Sequence, residues 1–130
     1  MILERQHQAF AKHVFLGEIE YQSQFAARAA EHLQTCANNF DPIEIWSAVQ
    51  SILIAAGNVS KILWPPRPRS APRGAMLRAL LDIDENNAIS DRNFRNHFEH
   101  YDERLEDWAD ATTHFQFIDK TVAVGGVNKE

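Results

Sequence analysis

The chain has 130 residues, 45% of them hydrophobic and 24% charged, with a formal net charge of −5. That length suits one domain able to bury most of the surface its unfolded chain exposes, and no apolar run approaches the ~20 residues that span a bilayer. The acidic balance excludes a general nucleic-acid coat protein, whose affinity comes from basic contacts to phosphates, but leaves room for an enzyme that confines its phosphate-binding groups to a cleft.

The N-terminal residues, Met1 to His7, lack the basic segment and apolar core of a secretory signal. A single cysteine, Cys36, allows no internal disulfide framework and reads as a small packing residue. A cytoplasmic location is the expectation from both.

In chain order the elements are helical almost throughout. Ile2, Leu3, Phe10 and Val14 mark a weakly amphipathic segment over 2–14, and Ile19, Phe25, Ala26, Ala29 and Leu33 give one face to a helix over about 15–35. Gly17 either breaks these two or sits inside one long helix. Asp41, Pro42 and Glu44 form a start signal, with a cap, a first-turn proline and a capping-box glutamate. The helix they open carries Ile45, Trp46, Val49, Ile52, Leu53, Ala56, Val59, Ile62 and Leu63, a surface too wide for one stripe, which predicts the central helix.

Residues 64–74 hold four of the five prolines together with Arg67, Arg69 and Arg73. They form either a stiff connecting loop or a basic flap over an anionic ligand. A shorter helix follows over roughly 73–83, then a turn at Asp84-Glu85-Asn86-Asn87. Ser90 caps the last helix, with Ile89 and Phe94 as a hydrophobic staple. Phe94, Phe98, Tyr101, Leu105, Trp108 and Thr112 are its core stripe. Residues 114–124 turn β-branched and partly alternating, an extended segment. The expected fold is therefore all-α: a single domain over 1–130, a four- to five-helix bundle with a short extended C-terminal segment.

The last helix carries Arg95-Asn96-His97-Phe98-Glu99-His100. Arginine holds a phosphate in a fork of donors, and histidine moves protons near neutral pH. At ~100° per residue, Arg95 falls about 100° to one side of the core stripe and His100 about 120° to the other. Arg92, Asn96, Glu99 and Glu103 fill the face between them. His97 lies nearer the stripe and reads as a boundary residue with a structural hydrogen bond.

An Arg, a polar residue that is usually Asn, three variable residues and a His, on a late helix of a small bundle, resembles the HEPN superfamily. The local match runs over about eight residues, Phe94 to Tyr101. The aromatic falls directly after His100, where several family members place it one residue later. Family members are helical bundles of four or five helices, commonly homodimers in which two motif helices meet. Many are metal-independent ribonucleases of toxin or defence type, and others are binding modules without catalysis.

The resemblance implies that His100 exchanges the proton of the ribose 2′-hydroxyl or of the leaving 5′-oxygen. Arg95 would hold the scissile phosphate, and Asn96 would orient it. The product would be a 2′,3′-cyclic phosphate, with no cofactor and no metal required. Arg92 and the loop arginines Arg67, Arg69 and Arg73 are candidate substrate-binding groups. Because Arg95 and His100 diverge by about 140° around the helix, one copy frames a cleft poorly, so an isologous homodimer along the 90–112 helix is expected. RNA or a nucleotide, and a cognate protein such as an antitoxin, are the partners expected beyond that, with no membrane.

Two other readings compete. His97, His100 and Glu103, three residues apart, could hold a metal ion in a bundle. Alternatively, Glu99 with Arg95 and His100 with Arg104 are i, i+4 neighbours on a solvated acidic face, and the protein is a non-catalytic nucleotide- or protein-binding module.

Overall fold

The computed structural model describes residues 1–39, 41–91, 93 and 100–111. Among these residues there are four α-helices and two 3-10 turns, with no strand. The all-α architecture expected from the pattern is what forms. The extended segment expected over 114–124 lies outside the described residues.

The first helix, α1, runs unbroken over Ile2–Cys36 and passes through Gly17 without interruption. A Cβ at Gly17 would meet nothing within 4 Å, so the glycine lowers helix propensity there but creates no steric reason to stop. The second helix, α2, covers Pro42–Leu63. Its start is local chemistry: the Asp41 carboxylate accepts from the Ile43 amide at 3.0 Å and the Glu44 amide at 3.4 Å, with proline in the first turn. The expected capping box does not close on itself. The Glu44 carboxylate instead reaches His32 Nε2 at 2.6 Å, a partner twelve residues earlier and outside any local pattern.

The two helices run antiparallel. His32 faces Glu44, Gln22 accepts from the Asn58 amide group at 3.2 Å, and Phe15 lies level with the last turn of α2 through the Arg73 side chain described below. Small side chains let the backbones approach: Ala29 and Cys36 on α1 are buried, as are Ala48 and Ala55 on α2. The first three turns of α1 reach past the end of α2.

α2 ends at Trp64, whose amide bonds the Ser60 carbonyl at 2.7 Å before two prolines forbid continuation. The Pro-rich stretch is not wholly a loop. A 3-10 turn over Pro68–Ser70 leads straight into the third helix, α3, over Ala71–Leu80, two residues earlier than its apolar pattern indicated. Gly74 is required there, because a Cβ would sit 2.5 Å from Pro65 Cδ and 2.6 Å from the Leu63 carbonyl oxygen. Leu77, one turn on, is wholly buried.

α3 stops in a Schellman arrangement. The Ile83 amide bonds the Arg78 carbonyl at 2.9 Å and the Asp82 amide bonds the Ala79 carbonyl at 3.3 Å, with Asp82 at φ 54° where glycine is usual. Asp84 then turns the chain by accepting from the Asn86 amide at 2.8 Å. A second 3-10 turn, Ala88–Ser90, follows; the Ser60 hydroxyl donates to its Ile89 carbonyl at 2.5 Å. Ser90 belongs to this turn rather than capping a helix. The carboxylate that accepts from the Asn93 amide, at 2.8 Å, is that of Asp91. The proposed partner of Ile89 in the staple, Phe94, is outside the described residues.

The fourth helix, α4, is Tyr101–Ala111 and has no buried residue. Leu105 and Trp108, two of the expected stripe, are half-buried. No described helix is long and apolar enough to cross a membrane.

Candidate functional site

Of the motif, His100 is the residue the structure describes; Arg95 and Asn96, with Arg92, His97 and Glu99, fall outside. His100 stands at the turn that opens α4, where its carbonyl accepts from the Arg104 amide at 3.1 Å. Its side chain is 57% exposed, and Nδ1 lies 3.1 Å from the Glu103 carboxylate. An exposed pair of this kind adds little stability, on the order of 0.2–1 kcal/mol. His100 and Arg104 are i, i+4 neighbours on this exposed face, and the His100 ring lies beside Glu103 at i+3.

Asp102 and Glu103 in the first turn of α4 sit against the positive end of the helix dipole, which favours them there. Glu106, Asp107 and Asp110 continue the acidic surface, all exposed. Among the described residues no group of three His, Cys, Asp or Glu is arranged to hold a metal ion. The triad of His97, His100 and Glu103 includes a residue outside that set.

The loop arginines separate into two kinds. Arg67 and Arg69 are exposed on the Pro-rich stretch. Arg73 is turned inward: its guanidinium carbon lies 4.4 Å from the centre of the Phe15 ring, and Nη2 makes long contacts of 3.5 Å to the Lys61 and Ile62 carbonyls. It closes the C-terminal end of α2, where unpaired carbonyls and the negative end of the dipole both favour a cation.

Arg78, which the sequence pattern did not single out, shares this work. Its Nη1 donates to the Leu63 carbonyl, its guanidinium carbon is 5.5 Å from the centre of the Trp64 ring, and Nη2 is 4.0 Å from Glu85. The spacing from the prolines that end α2 to Arg73 and Arg78 is the one sequence signal that could have marked them as closing groups. Among the described residues no bond joins any loop arginine to His100.

Comparison with protein-family models, with curated proteins and with solved structures gives no match.

Proposed function

We propose that the protein is a metal-independent endoribonuclease of the HEPN type, toxin- or defence-like and cytoplasmic, acting as a homodimer through the 90–112 helix. The observation that supports this best is the setting of His100: an exposed imidazole at the start of α4, with Nδ1 3.1 Å from the Glu103 carboxylate, on a residue type that exchanges protons. In this reading one His100 removes the 2′-hydroxyl proton as that oxygen attacks phosphorus. The partner subunit's His100 protonates the departing 5′-oxygen, leaving a 2′,3′-cyclic phosphate. Such proton transfers contribute ~10²–10⁴-fold. Arg95 stabilises the charge on the phosphate oxygens and Asn96 orients the group.

The test is cleavage of RNA by wild type and by the His100→Ala and Arg95→Ala variants, with EDTA present. Cyclic-phosphate ends lost in both variants are the expected result. Equal cleavage by wild type and His100→Ala, or none by wild type, removes the reading.

The exposed carboxylates of α4, running from Asp102 to Asp110, favour a second reading. They repel RNA and attract a basic protein surface, which fits a non-catalytic module that binds a cognate protein. Binding without cleavage distinguishes it.

A further inference from the structure

Residues 45–81 contain no Asp or Glu and hold five of the thirteen Lys and Arg, so this stretch carries +5 in a chain whose net charge is −5. Four of the five are arginines, Arg67, Arg69, Arg73 and Arg78, placed where α2 gives way to α3. Arg73 and Arg78 are half-buried, and each keeps a buried Nε without a hydrogen-bond partner. The carbonyls that end α2 offset part of their charge. Among the described residues the one carboxylate within 4.0 Å of either is that of Glu85, which is 84% exposed. A positive field is thus built into this end of the fold. Arg67 and Arg69 stand on it, exposed, and among the described residues neither side chain has a hydrogen-bond or ion-pair partner.

Their backbone is fixed. Pro65, Pro66, Pro68 and Pro72 each set a φ angle, and the Ser70 amide bonds the Arg67 carbonyl at 2.9 Å. Gly74 lets α3 close tightly on Pro65. Being two residues apart, Arg67 and Arg69 have Cα atoms at most ~7 Å from each other. Ser70, next in the chain, precedes α3 without using its hydroxyl in a cap hydrogen bond. A stiff turn therefore presents two forked donors and a hydroxyl, and little ordering entropy opposes a ligand there.

We propose that this turn holds the phosphodiester backbone of an RNA strand, Arg67 and Arg69 each taking a phosphate and the Ser70 hydroxyl donating beside them. That the strand is RNA rests on the ribonuclease reading; that the ligand is a polynucleotide backbone rests on the charge and geometry of the turn. Guanidinium forks match phosphate oxygens in pairs, and each phosphate neutralised releases condensed counterions. The other polyanions fit less well. An anionic membrane is held by clusters of about four to eight cations, and exposed ion pairs with protein carboxylates add little. The turn also supplies what α4 lacks. Asp102, Glu103, Glu106, Asp107 and Asp110 are exposed on the helix that follows His100, so a strand needs a hold outside that acidic surface.

The experiment uses a fluorescent single strand of 2′-O-methyl RNA, which has no free 2′-hydroxyl to attack, so binding is read without cleavage. Anisotropy over a salt series compares wild type with the Arg67→Gln, Arg69→Gln double variant. A control double variant, Arg5→Gln with Arg28→Gln, removes the same charge from exposed positions on α1. Arg73 reaches α1 at Phe15; the control sites lie about 15 and 20 Å along the helix from there, beyond the screening length. All four side chains face solvent, so helix content by circular dichroism stays at the wild-type value.

The expected result is micromolar binding by wild type, a Kd raised at least ~10-fold in the turn variant, and a salt slope shallower by about 1.4, for two lost contacts to a single strand. The control stays close to wild type. No binding by wild type overturns the proposal, as does an equal loss in the control or no loss in the turn variant. Displacement of the strand by polyglutamate of equal charge at the same concentration also overturns it, by assigning the turn to an acidic protein surface. Cleavage is scored separately on ordinary RNA. Turn-dependent binding without cleavage removes the ribonuclease reading and leaves the hold on a polynucleotide backbone standing, whereas cleavage with turn-independent binding does the reverse.

Discussion

The Ser60 hydroxyl, wholly buried in α2, donates to the Ile89 carbonyl oxygen at 2.5 Å and ties the turn before the motif segment to the central helix. Ser60→Ala leaves that carbonyl without its partner in a dry setting, a loss of ~1–3 kcal/mol. Urea denaturation should show a lower midpoint with an unchanged slope, and amides over 88–93 should exchange faster. An unchanged midpoint would mean that the bond carries no stability.

Two backbone positions respond in opposite directions. Gly74→Ala puts a methyl against Pro65 and the Leu63 carbonyl, both within 2.6 Å of its site, and should destabilise by ~1–3 kcal/mol. Asp82 holds φ 54° at the end of α3. Asp82→Gly removes the left-handed penalty and should stabilise by about 0.5–1 kcal/mol, less the entropy a glycine adds to the unfolded chain. Thermal melts of the two variants shifting the same way would contradict this account.

Arg78 closes the end of α2 with a side chain only 15% exposed. Arg78→Ala removes a charged donor from the Leu63 carbonyl and a flat contact from Trp64, and should cost ~1.5–3 kcal/mol. Arg78→Lys should restore less than half, because an ammonium lacks the fork and the planar face. Full recovery in the lysine variant would show that charge alone matters. The Glu85 contact, to a side chain 84% exposed, should add under about 1 kcal/mol.

Within the ribonuclease reading, Glu103 positions His100 and does not react. Glu103→Gln keeps a group of the same shape near Nδ1 but removes its negative charge. It should lower kcat by about tenfold and leave KM unchanged, where His100→Ala lowers kcat by ~10²-fold or more. A Glu103→Gln loss seen in KM alone would assign that carboxylate to substrate binding instead.

What could be read from the sequence was whatever depends on near neighbours. Asp41 and Pro42 announce the start of α2 because a cap satisfies amides two and three residues away. Trp64-Pro65-Pro66 announces its end because proline lacks the amide that helix continuation needs. Gly17 could not be resolved, since a weak helix former is held in line by α2 packed alongside. Glu44 was assigned to the local box although its partner, His32, comes from the preceding helix. Arg73 was read with Arg67 and Arg69 because composition cannot tell an arginine facing water from one turned onto Phe15. In the candidate site, His100 was proposed from spacing, whereas its closeness to Glu103 depends on side-chain direction at the first turn of α4. Arg95 and Asn96 lie outside the described residues.

α4 buries none of its residues, whereas α1 and α3 each bury two and α2 buries five. A segment held so lightly opens at a lower free energy than the hairpin, and amide exchange should report residues 101–111 well before those of α2. Its order is thus open to tuning by whatever grips it. Within the ribonuclease reading, a ligand or second chain that clamps this helix would raise the fraction of molecules presenting His100 correctly, setting output through occupancy rather than through the chemical step.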